Sequence, residues 1–251
     1  MINSSACAIS KPVRFPGAHN RELLLEGEIG GVETCYVETG VGREHRFKPE
    51  AGKLNILIFL GGEGVVSYAD MRIAVPEPAL FVPGPAQGYA VRGGAQQLSY
   101  LELVLDLTKQ DQLDLQRSVQ HFPYHVLFSR CGRYSEAIKS EKTINRMVLP
   151  EGIVPRVCAG TVETTGPDEV APHTHPMLEQ LFLGLEGNDV CVFADADEKG
   201  FGENELLHIP LGSSHGVKVE AGKRLHYLWV DIFSDHSQMA YMQENHRMID
   251  E

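Results

Sequence analysis

The feature that most constrains the fold of this chain is a succession of short apolar runs, which glycine and proline interrupt at close intervals. From Arg21 to about Leu107 the runs read as strand, turn and strand, for example in NILIFLGGEGVVSYADM and PALFVPGPAQGYAVRGG. From Thr143 the same pattern returns in five further strand-like runs. Short strands with frequent turn signals are typical of all-β sandwiches and barrels. We therefore predict an all-β chain.

Between the two β-rich parts, the pattern changes to that of a helix. Residues Thr108–Gln120 contain no Gly or Pro and carry three apolar residues among polar ones: Leu113, Leu115 and Val119. This predicts a short helix. The charged stretch that continues to about Lys142 reads as a connection, and the polar tail after Phe233 reads as a further short helix or a frayed end.

These patterns predict an N-terminal barrel over 1–107, a linker with a short helix over 108–142 and a C-terminal barrel over 143–251. The two barrels resemble each other: Phe81–Val91 and His208–Val219 both run from an apolar pair through proline and a turn into an apolar strand. In this pairing Gln87 stands where the second copy has His215. We interpret the chain as a duplication in which only the second copy kept its histidines.

Composition excludes several classes of function. The formal net charge of the 251 residues is −12, which argues against a broad nucleic-acid surface because such surfaces depend on clustered Lys and Arg. The five cysteines are odd in number and include no Cys-X-X-Cys, which argues against a disulfide framework and a thiolate zinc site. The sequence shows no signal-peptide core and no apolar window of bilayer length. We expect a cytoplasmic protein with no membrane partner.

The stretch APHTHPMLEQLFLGLEG predicts a metal site. His173 and His175 point to the same side of a strand because side chains alternate faces. Pro210 and Gly212 form a turn that places His215 at the start of another strand. With one more donor, these imidazoles would complete a site for divalent Zn, Mn, Fe, Ni or Co.

The fourth ligand is either Glu179 or Gln180, since neighbours on one strand face opposite sides. A carboxylate is the better ligand for a divalent cation, whereas an amide leaves the site more positive. In the motif of the family that the chain resembles, which is described next, the spacing back from Gly187 favours Gln180.

At these residues the chain resembles the cupin superfamily, whose motifs are His-X-His-X(3–4)-Glu/Gln-X6-Gly and Pro-X-Gly-X-X-His. The resemblance implies two double-stranded β-helix (jelly-roll) barrels, a bicupin. More narrowly, KTINR, HTH, the CVF strand and the closing YLWV are similar to the family of 5-keto-4-deoxyuronate isomerase and 5-deoxyglucuronate isomerase. Those bicupins carry the metal in the C-terminal barrel and interconvert a carbonyl with its neighbouring hydroxyl in sugar acids.

For such an isomerase we expect three further residues at the site. Tyr227 and Asp231 lie in one phase of the strand RLHYLWVDIF, and Lys218 follows His215 closely enough to anchor a substrate carboxylate. We expect His208 and His226 to be surface residues of strands, and we assign no role to His236 or His246.

The alternatives are a cupin dioxygenase, decarboxylase or amidohydrolase that acts on a small organic acid, since a fold does not determine a reaction. A non-catalytic sensor ranks last because the sequence shows no helix-turn-helix pattern and no basic patch. The first barrel is expected to be a structural and dimerising partner. Because barrels of this kind expose sheet edges, we predict a homo-oligomer, a dimer or larger.

Overall fold

The computed structural model describes residues 9–11, 13–14, 21–118, 121–239 and 246–249. The chain divides into two compact units. Among the described residues, one unit contains 21–118, 121–131 and 152–155, and the other contains 9–11, 13–14, 132–151 and those from 156 onward. We refer to them as the N-terminal and C-terminal units. The boundaries derived from the sequence, 1–107, 108–142 and 143–251, stay a prediction.

Strands make up most of the regular structure in the described part of the chain. In chain order they are β1 (Val13–Arg14), β2 (Arg21–Leu24), β3 (Val32–Thr39), β4 (Glu44–Phe47), β5 (Lys53–Gly61), β6 (Gly64–Tyr68), β7 (Met71–Val75), β8 (Ala79–Val82), β9 (Tyr89–Gly93), β10 (Leu98–Asp106), β11 (Tyr124–Leu127), β12 (Arg133–Ser135), β13 (Ile144–Val154), β14 (Val157–Thr165), β15 (Asp168–Thr174), β16 (Leu178–Gly184), β17 (Asp189–Ala194), β18 (Asp197–Gly202), β19 (Glu205–Ile209), β20 (Ser214–Val219), β21 (Arg224–Phe233) and β22 (Arg247–Met248). The all-β prediction is confirmed.

Each unit consists of a larger and a smaller antiparallel sheet. In the N-terminal unit the orders are β11-β8-β5-β10-β3-β2 and β4-β9-β6-β7. In the C-terminal unit they are β1-β19-β16-β21-β14-β13-β12-β22 and β15-β20-β17-β18. The central run β8-β5-β10-β3 corresponds to β19-β16-β21-β14, and β4-β9-β6-β7 corresponds to β15-β20-β17-β18. The two units therefore share one topology, as the duplication predicts.

The predicted helix is present as α1 (Lys109–Arg117), which begins where Thr108 and Asp111 form a capping box. In this arrangement the Thr108 hydroxyl accepts from the Asp111 backbone N–H, and the Asp111 carboxylate accepts from the Thr108 N–H, which satisfies two amides at the helix start. The tail was predicted to be a short helix or a frayed end. In its described part, a 3₁₀ turn covers His236–Met239 and β22 covers Arg247–Met248; positions 240–245 and 250–251 lie outside the described residues. None of the described helices is long and apolar enough to cross a membrane.

Several strands escaped the sequence analysis for a physical reason. β11 and β12 lie in the segment interpreted as a linker, and β18 has the polar sequence DEKGFG. These strands lie at or near sheet edges, where few side chains are buried and the apolar alternation that marks a strand is weak.

The core of the C-terminal unit lies between its two sheets. Inward-facing side chains from alternate strand positions fill it, among them Val162, Phe182, Leu207, Val217 and Tyr227. Two strand pairs in this unit carry the motifs that the sequence singled out. β15 pairs with β20 in the smaller sheet, and β16 pairs with β21 in the larger one. Both histidine motifs and the Glu179–Gln180 pair lie on these strands or next to them.

Candidate metal centre

Three imidazoles meet inside the C-terminal unit. The ring centroids of His173 and His215 are 4.3 Å apart, those of His173 and His175 4.7 Å, and those of His175 and His215 5.5 Å. One nitrogen of each ring lies within 4.8 Å of the corresponding nitrogens of the other two. The structure therefore brings together the three histidines that the two sequence motifs singled out.

The pairing of β15 with β20 brings the two motifs together. His173 lies directly opposite His215 in the ladder, after a register shift that follows Val170. The turn before β20 closes with a hydrogen bond from the Ser213 N–H to the Pro210 carbonyl, 3.2 Å. Gly212 has a φ of +81° there, a conformation that glycine adopts without steric cost.

A second backbone bond connects that turn to the first motif. The Gly212 N–H donates to the carbonyl of His175 over 3.2 Å. The spacing of proline, glycine and histidine in the second motif thus fixes the position of one imidazole relative to the other two.

Glu179 and Gln180 face opposite sides of β16, as alternation requires. The Glu179 carboxylate accepts from the Leu211 N–H and bonds His208 Nε2, both at 2.8 Å. Glu179 therefore supports the turn of the second motif from the side away from the imidazoles. His208, expected at the surface, is instead buried.

Gln180 lies on the inner face and lines the same cavity as the three imidazoles. Its amide nitrogen donates to Asp231 Oδ1 over 2.7 Å, across the β16–β21 pair. Its Oε1 is buried and has no hydrogen-bond partner among the described residues. Of the two alternatives, only Gln180 presents an oxygen at the cavity.

The hydrogen bonds of His173 and His215 involve Nδ1 and leave Nε2 available to bind a cation. The Nδ1 atoms of His173 and His215 lie 2.8 and 3.0 Å from the carbonyls of Ala171 and Ser213, so each Nδ1 carries the proton and each Nε2 is an acceptor. Within the described part of the chain, His215 Nε2 is buried without a hydrogen-bond partner. Unpaired buried acceptors on imidazole and amide fit a divalent cation.

Burial keeps these imidazoles neutral, as metal binding requires. Burial, reinforced by the charge of His173, lowers the pKa of His175 to about 4 and that of His215 to about 3. Burial also lowers the pKa of His173. The three rings are therefore unprotonated near neutral pH without any cation.

The predicted residues of β21 also lie at the cavity. Tyr227, Trp229 and Asp231 line it from successive inward positions, and the Tyr227 ring packs against Phe182 at 4.6 Å between centroids. Burial raises the pKa of Asp231 to about 8, against the hydrogen bond from Gln180 that lowers it. The cavity beside these residues has a volume of about 20 Å³, the space of about one water molecule.

The structure does not bring Lys218 to this group. It stands three positions after His215 on β20, an odd spacing that points it to the outer face. There it is exposed, beside Pro167 and Glu169 at the surface. Its proximity to His215 in the sequence suggests that Lys218 anchors a substrate carboxylate. The alternation of side chains along β20 excludes this role, because Lys218 points away from the cavity.

The sequence analysis missed four residues close to the centre. Glu136, Lys139 and His246 line the same cavity, and the Tyr134 hydroxyl accepts hydrogen bonds from Lys139 Nζ at 3.2 Å and Trp229 Nε1 at 3.1 Å. In the sequence, Glu136 and Lys139 belong to the predicted linker, and His246 belongs to the polar tail, where the sequence predicts no role for it. The sequence indicates these residues only by a Glu and a Lys three positions apart in a charged segment. Such a pair occurs at exposed surfaces as well as in cavities.

The N-terminal unit has no equivalent triad among its described residues. A comparison of the strand pairs in the two units shows which residues stand at the positions of the histidines. The pairs His173–His215 and Ala194–His215 correspond to Phe47–Tyr89 and Tyr68–Tyr89. The Phe47 and Tyr89 rings stack at 4.6 Å between centroids. Tyr89 therefore occupies the position of His215, and the sequence pairing with Gln87 was wrong, because the preceding loops differ in length.

The buried carboxylate has a counterpart in the N-terminal unit. Asp231 lies opposite Cys158 and Gln180, and Glu102 lies opposite Cys35 and Leu57. Glu102 binds Arg21 Nε at 3.2 Å and Asn55 Nδ2 at 2.8 Å. The first unit thus has an acid, Glu102, at the position of Asp231, and this acid is paired with Arg21. Aromatic rings occupy the positions of His173 and His215.

Comparison with known proteins identifies the fold. No family model matches the chain, and no curated protein matches it. Among solved structures, a cupin 2 conserved barrel domain protein from Leptotrichia buccalis has a TM-score of 0.63 at 12% identity, over 90% of this chain and 100% of the other. AerE from Microcystis aeruginosa has a TM-score of 0.66 at 10% identity, over 90% and 99%. A deletion variant of oxalate decarboxylase from Bacillus subtilis has a TM-score of 0.67 at 11% identity, over 90% and 77%.

The chain therefore has the jelly-roll fold of cupin barrels, and the resemblance found in the two motifs is confirmed at the level of fold. At these identities the likeness concerns the fold alone. The narrower resemblance to the uronate isomerases and the ligand roles of the site residues stay predictions.

Proposed function

We propose that this chain is a metal-dependent isomerase that interconverts the carbonyl and the neighbouring hydroxyl of a small acid of the sugar-acid type. The observation that carries the proposal is a buried carboxyl group, Asp231, at the same cavity as three neutral imidazoles. Isomerisation of a hydroxy-carbonyl compound needs oxygen ligation and a group that moves a proton, and this cavity has residues for both.

His173, His175 and His215, with Gln180 Oε1, would hold the divalent cation, which when bound polarises the carbonyl and hydroxyl oxygens of the substrate. The chain's own residues keep these donors in place: two carbonyl acceptors fix the imidazole tautomers, and the Asp231 carboxylate fixes the orientation of the Gln180 amide.

Asp231 would act as the proton carrier of the reaction. Its ionised form, which becomes more populated as the pH rises towards the pKa of about 8, takes a proton from the carbon that bears the hydroxyl. The carboxylic acid so formed returns that proton to the neighbouring carbon, while the hydroxyl proton passes to the former carbonyl oxygen. The buried Tyr227 and Trp229 side chains line the same cavity and would limit the access of bulk water to Asp231. A closed site of this kind would protect the carried proton from exchange with solvent.

The test is proton NMR of the metal-loaded chain with hydroxy-carbonyl acids of three to six carbons, uronates and keto-sugars included. We expect isomer signals with at least one acid and no release of carbon dioxide. Asp231→Asn, with its metal retained, should lose turnover by about 100-fold or more. Wild-type turnover in that variant, or no isomer from any acid, would overturn the proposal.

Decarboxylation of a small acid is the second candidate, and two observations favour it. The cavity has room for about one water molecule, so it would have to widen less for a two-carbon acid than for a six-carbon one. Oxalate decarboxylase is also among the similar structures. The same samples decide between the two reactions, since carbon-13 NMR of labelled oxalate detects the carbon dioxide released. Oxygen uptake by the Fe(II)-loaded chain would instead indicate a dioxygenase, and ammonia release from small amides an amidohydrolase.

We also propose a structural role for the N-terminal unit and a homo-oligomer in solution. The basis is the sheet edges that no other described strand covers, such as β7 and β18, because natural proteins tend to cover such edges. Light scattering after size-exclusion chromatography should give at least twice the mass of the chain. A monomer at all concentrations would contradict it.

A further inference from the structure

We propose that Lys139 binds the carboxylate of the substrate, as an anion subsite beside the imidazole triad. The inference rests on the proposed function, which supplies a carboxylate-bearing ligand, and it assigns to Lys139 the task that the sequence suggested for Lys218. The ligand class is a small monoanion with a carboxylate next to a hydroxyl or carbonyl group.

Lys139 is a buried cation, and one of its three N–H groups is available to bind a ligand. Its side chain is 5% exposed and forms an ion pair with Glu136 Oε2 at 2.7 Å. It donates a second hydrogen bond to the Tyr134 hydroxyl at 3.2 Å. A lysine ammonium has three N–H donors, and among the described residues only these two are occupied by side chains.

The backbone holds the Glu136–Lys139 turn against the strand that carries His173. The Lys139 N–H donates to the Glu136 carbonyl, and the Ala171 N–H donates to the Ile138 carbonyl. Lys139 also forms an isolated bridge with Val170. The turn is therefore fixed beside β15, and both Glu136 and Lys139 line the cavity of the triad.

The charges at the cavity favour an anion once a cation is present. The three imidazoles and the Gln180 amide are neutral donors, so a divalent cation keeps its full charge. Lys139 adds one positive charge, and Glu136 and Asp231 supply at most two negative ones. The balance remains positive by at least one charge. Burial of uncompensated charge is costly, so a ligand that brings a negative charge binds better than a neutral ligand of the same shape.

Glu136 stabilises the ammonium when no ligand is bound. Besides Lys139, its carboxylate lies 3.5 Å from His246 Nε2, and the His246 ring packs 4.5 Å from Tyr134 between centroids. Glu136 therefore has a second partner, and Lys139 can share its charge with a substrate carboxylate without leaving Glu136 unpaired.

The experiment measures binding by isothermal titration calorimetry to the zinc-loaded full chain, with glycolate and its neutral counterpart glycolamide as probes. Removal of Lys139 alone would leave the Glu136 carboxylate without its cation, so the comparison is made between Glu136→Gln and Glu136→Gln/Lys139→Met. Lys218→Met is the matched control, an exposed lysine of the same unit. Circular dichroism and zinc content are recorded for every variant.

We expect wild type, Lys218→Met and Glu136→Gln to bind glycolate more tightly than glycolamide. The double variant should bind glycolate at least tenfold more weakly than Glu136→Gln, at equal zinc content, and should lose the preference. Glu136→Gln/Lys139→Arg should restore it. Unchanged glycolate affinity in the folded, zinc-loaded double variant overturns the inference.

The two proposals fail in different ways. A chain that binds glycolate through Lys139 but isomerises no acid refutes the proposed function and leaves the subsite in place. A chain that takes up no zinc refutes the metal site, and glycolate titration of the same metal-free variants still decides whether Lys139 binds a carboxylate.

Discussion

Gln180 donates its amide hydrogen to Asp231 Oδ1 over 2.7 Å, from directly opposite positions on β16 and β21. This bond fixes which end of the amide faces the imidazoles. It also gives Asp231, which is 1% exposed, a donor that a carboxylate at position 180 would not provide. The presence of an amide rather than an acid at position 180 is thus linked to the buried Asp231 on the paired strand, β21.

Replacement of Gln180 by Glu should therefore destabilise the metal-free protein near pH 8. Two carboxylates would share one buried site, and we expect a loss of about 1–3 kcal/mol in the free energy of unfolding. Urea denaturation measures it. The double variant Gln180→Glu/Asp231→Asn should recover most of the loss, because the Asn amide can donate to the new carboxylate. Strict additivity of the two single changes would show that the residues do not interact.

His173→Ala and His215→Ala should each lose bound zinc. Loss of an outer-sphere partner alone costs about 10–100-fold in metal affinity, so loss of a ligand should cost at least about 100-fold. Metal content after dialysis against a weak chelator gives the answer. His226→Ala is the matched control, because His226 bonds the Glu186 carbonyl and does not line the cavity. Equal zinc in all three variants would remove the candidate centre.

The metal-free protein should become less stable as the pH falls from about 6.5 towards 4. His175 and His215 have folded-state pKa values of about 4 and 3, below the ordinary 6.5. The unfolded chain therefore binds more protons in this range, and stability rises with pH. Each histidine contributes a slope of up to about 1.4 kcal/mol per pH unit. Urea denaturation across the range measures the slope.

Asp231 has the opposite effect on the pH dependence of stability. Its folded-state pKa of about 8 lies above the ordinary 3.8, so the folded protein binds the extra proton between these values and Asp231 costs stability as the pH rises. In Asp231→Asn this opposing contribution is gone. The fall in stability towards acid pH should be steeper in the variant than in wild type, and a shallower fall would contradict the assignment.

Gly160→Ala should destabilise the C-terminal unit. A Cβ at position 160 would lie 2.5 Å from Trp229 Cζ2 and 2.8 Å from the Arg146 carbonyl oxygen, so the indole that bonds Tyr134 must shift. We expect a cost of about 1–3 kcal/mol, typical of overpacking. Gly200→Ala is the control, since nothing lies within 4 Å of its Cβ. Similar denaturation midpoints for the two variants would mean that the indole adapts freely.

The sequence predicts those parts of the fold and site that depend on local patterns. The all-β class follows from alternation and turns, and the triad follows from the His-X-His spacing and the turn at Gly212. The opposite orientations of Glu179 and Gln180 follow from alternation alone. These features require only the geometry of a strand and of a turn.

The residues that the sequence did not reveal depend on contacts between distant segments. Glu136 and Lys139 reach the cavity because their turn docks on β15, and His246 because its ring packs on that of Tyr134. The equivalence of Tyr89 with His215 appears only in the strand ladders, since an insertion before β9 shifts the sequence alignment. Lys218 is close to His215 in sequence, but the odd spacing between them turns Lys218 to the exposed face of β20.

The stacked rings of Phe47 and Tyr89 stand in the first unit where the second has two of its three imidazoles. Among the described residues, the donors of the candidate metal centre are therefore found in one unit of the pair. A metal titration should then saturate at one equivalent per chain along a simple hyperbola. Any sigmoidal uptake would have to arise from communication between separate chains in an assembly.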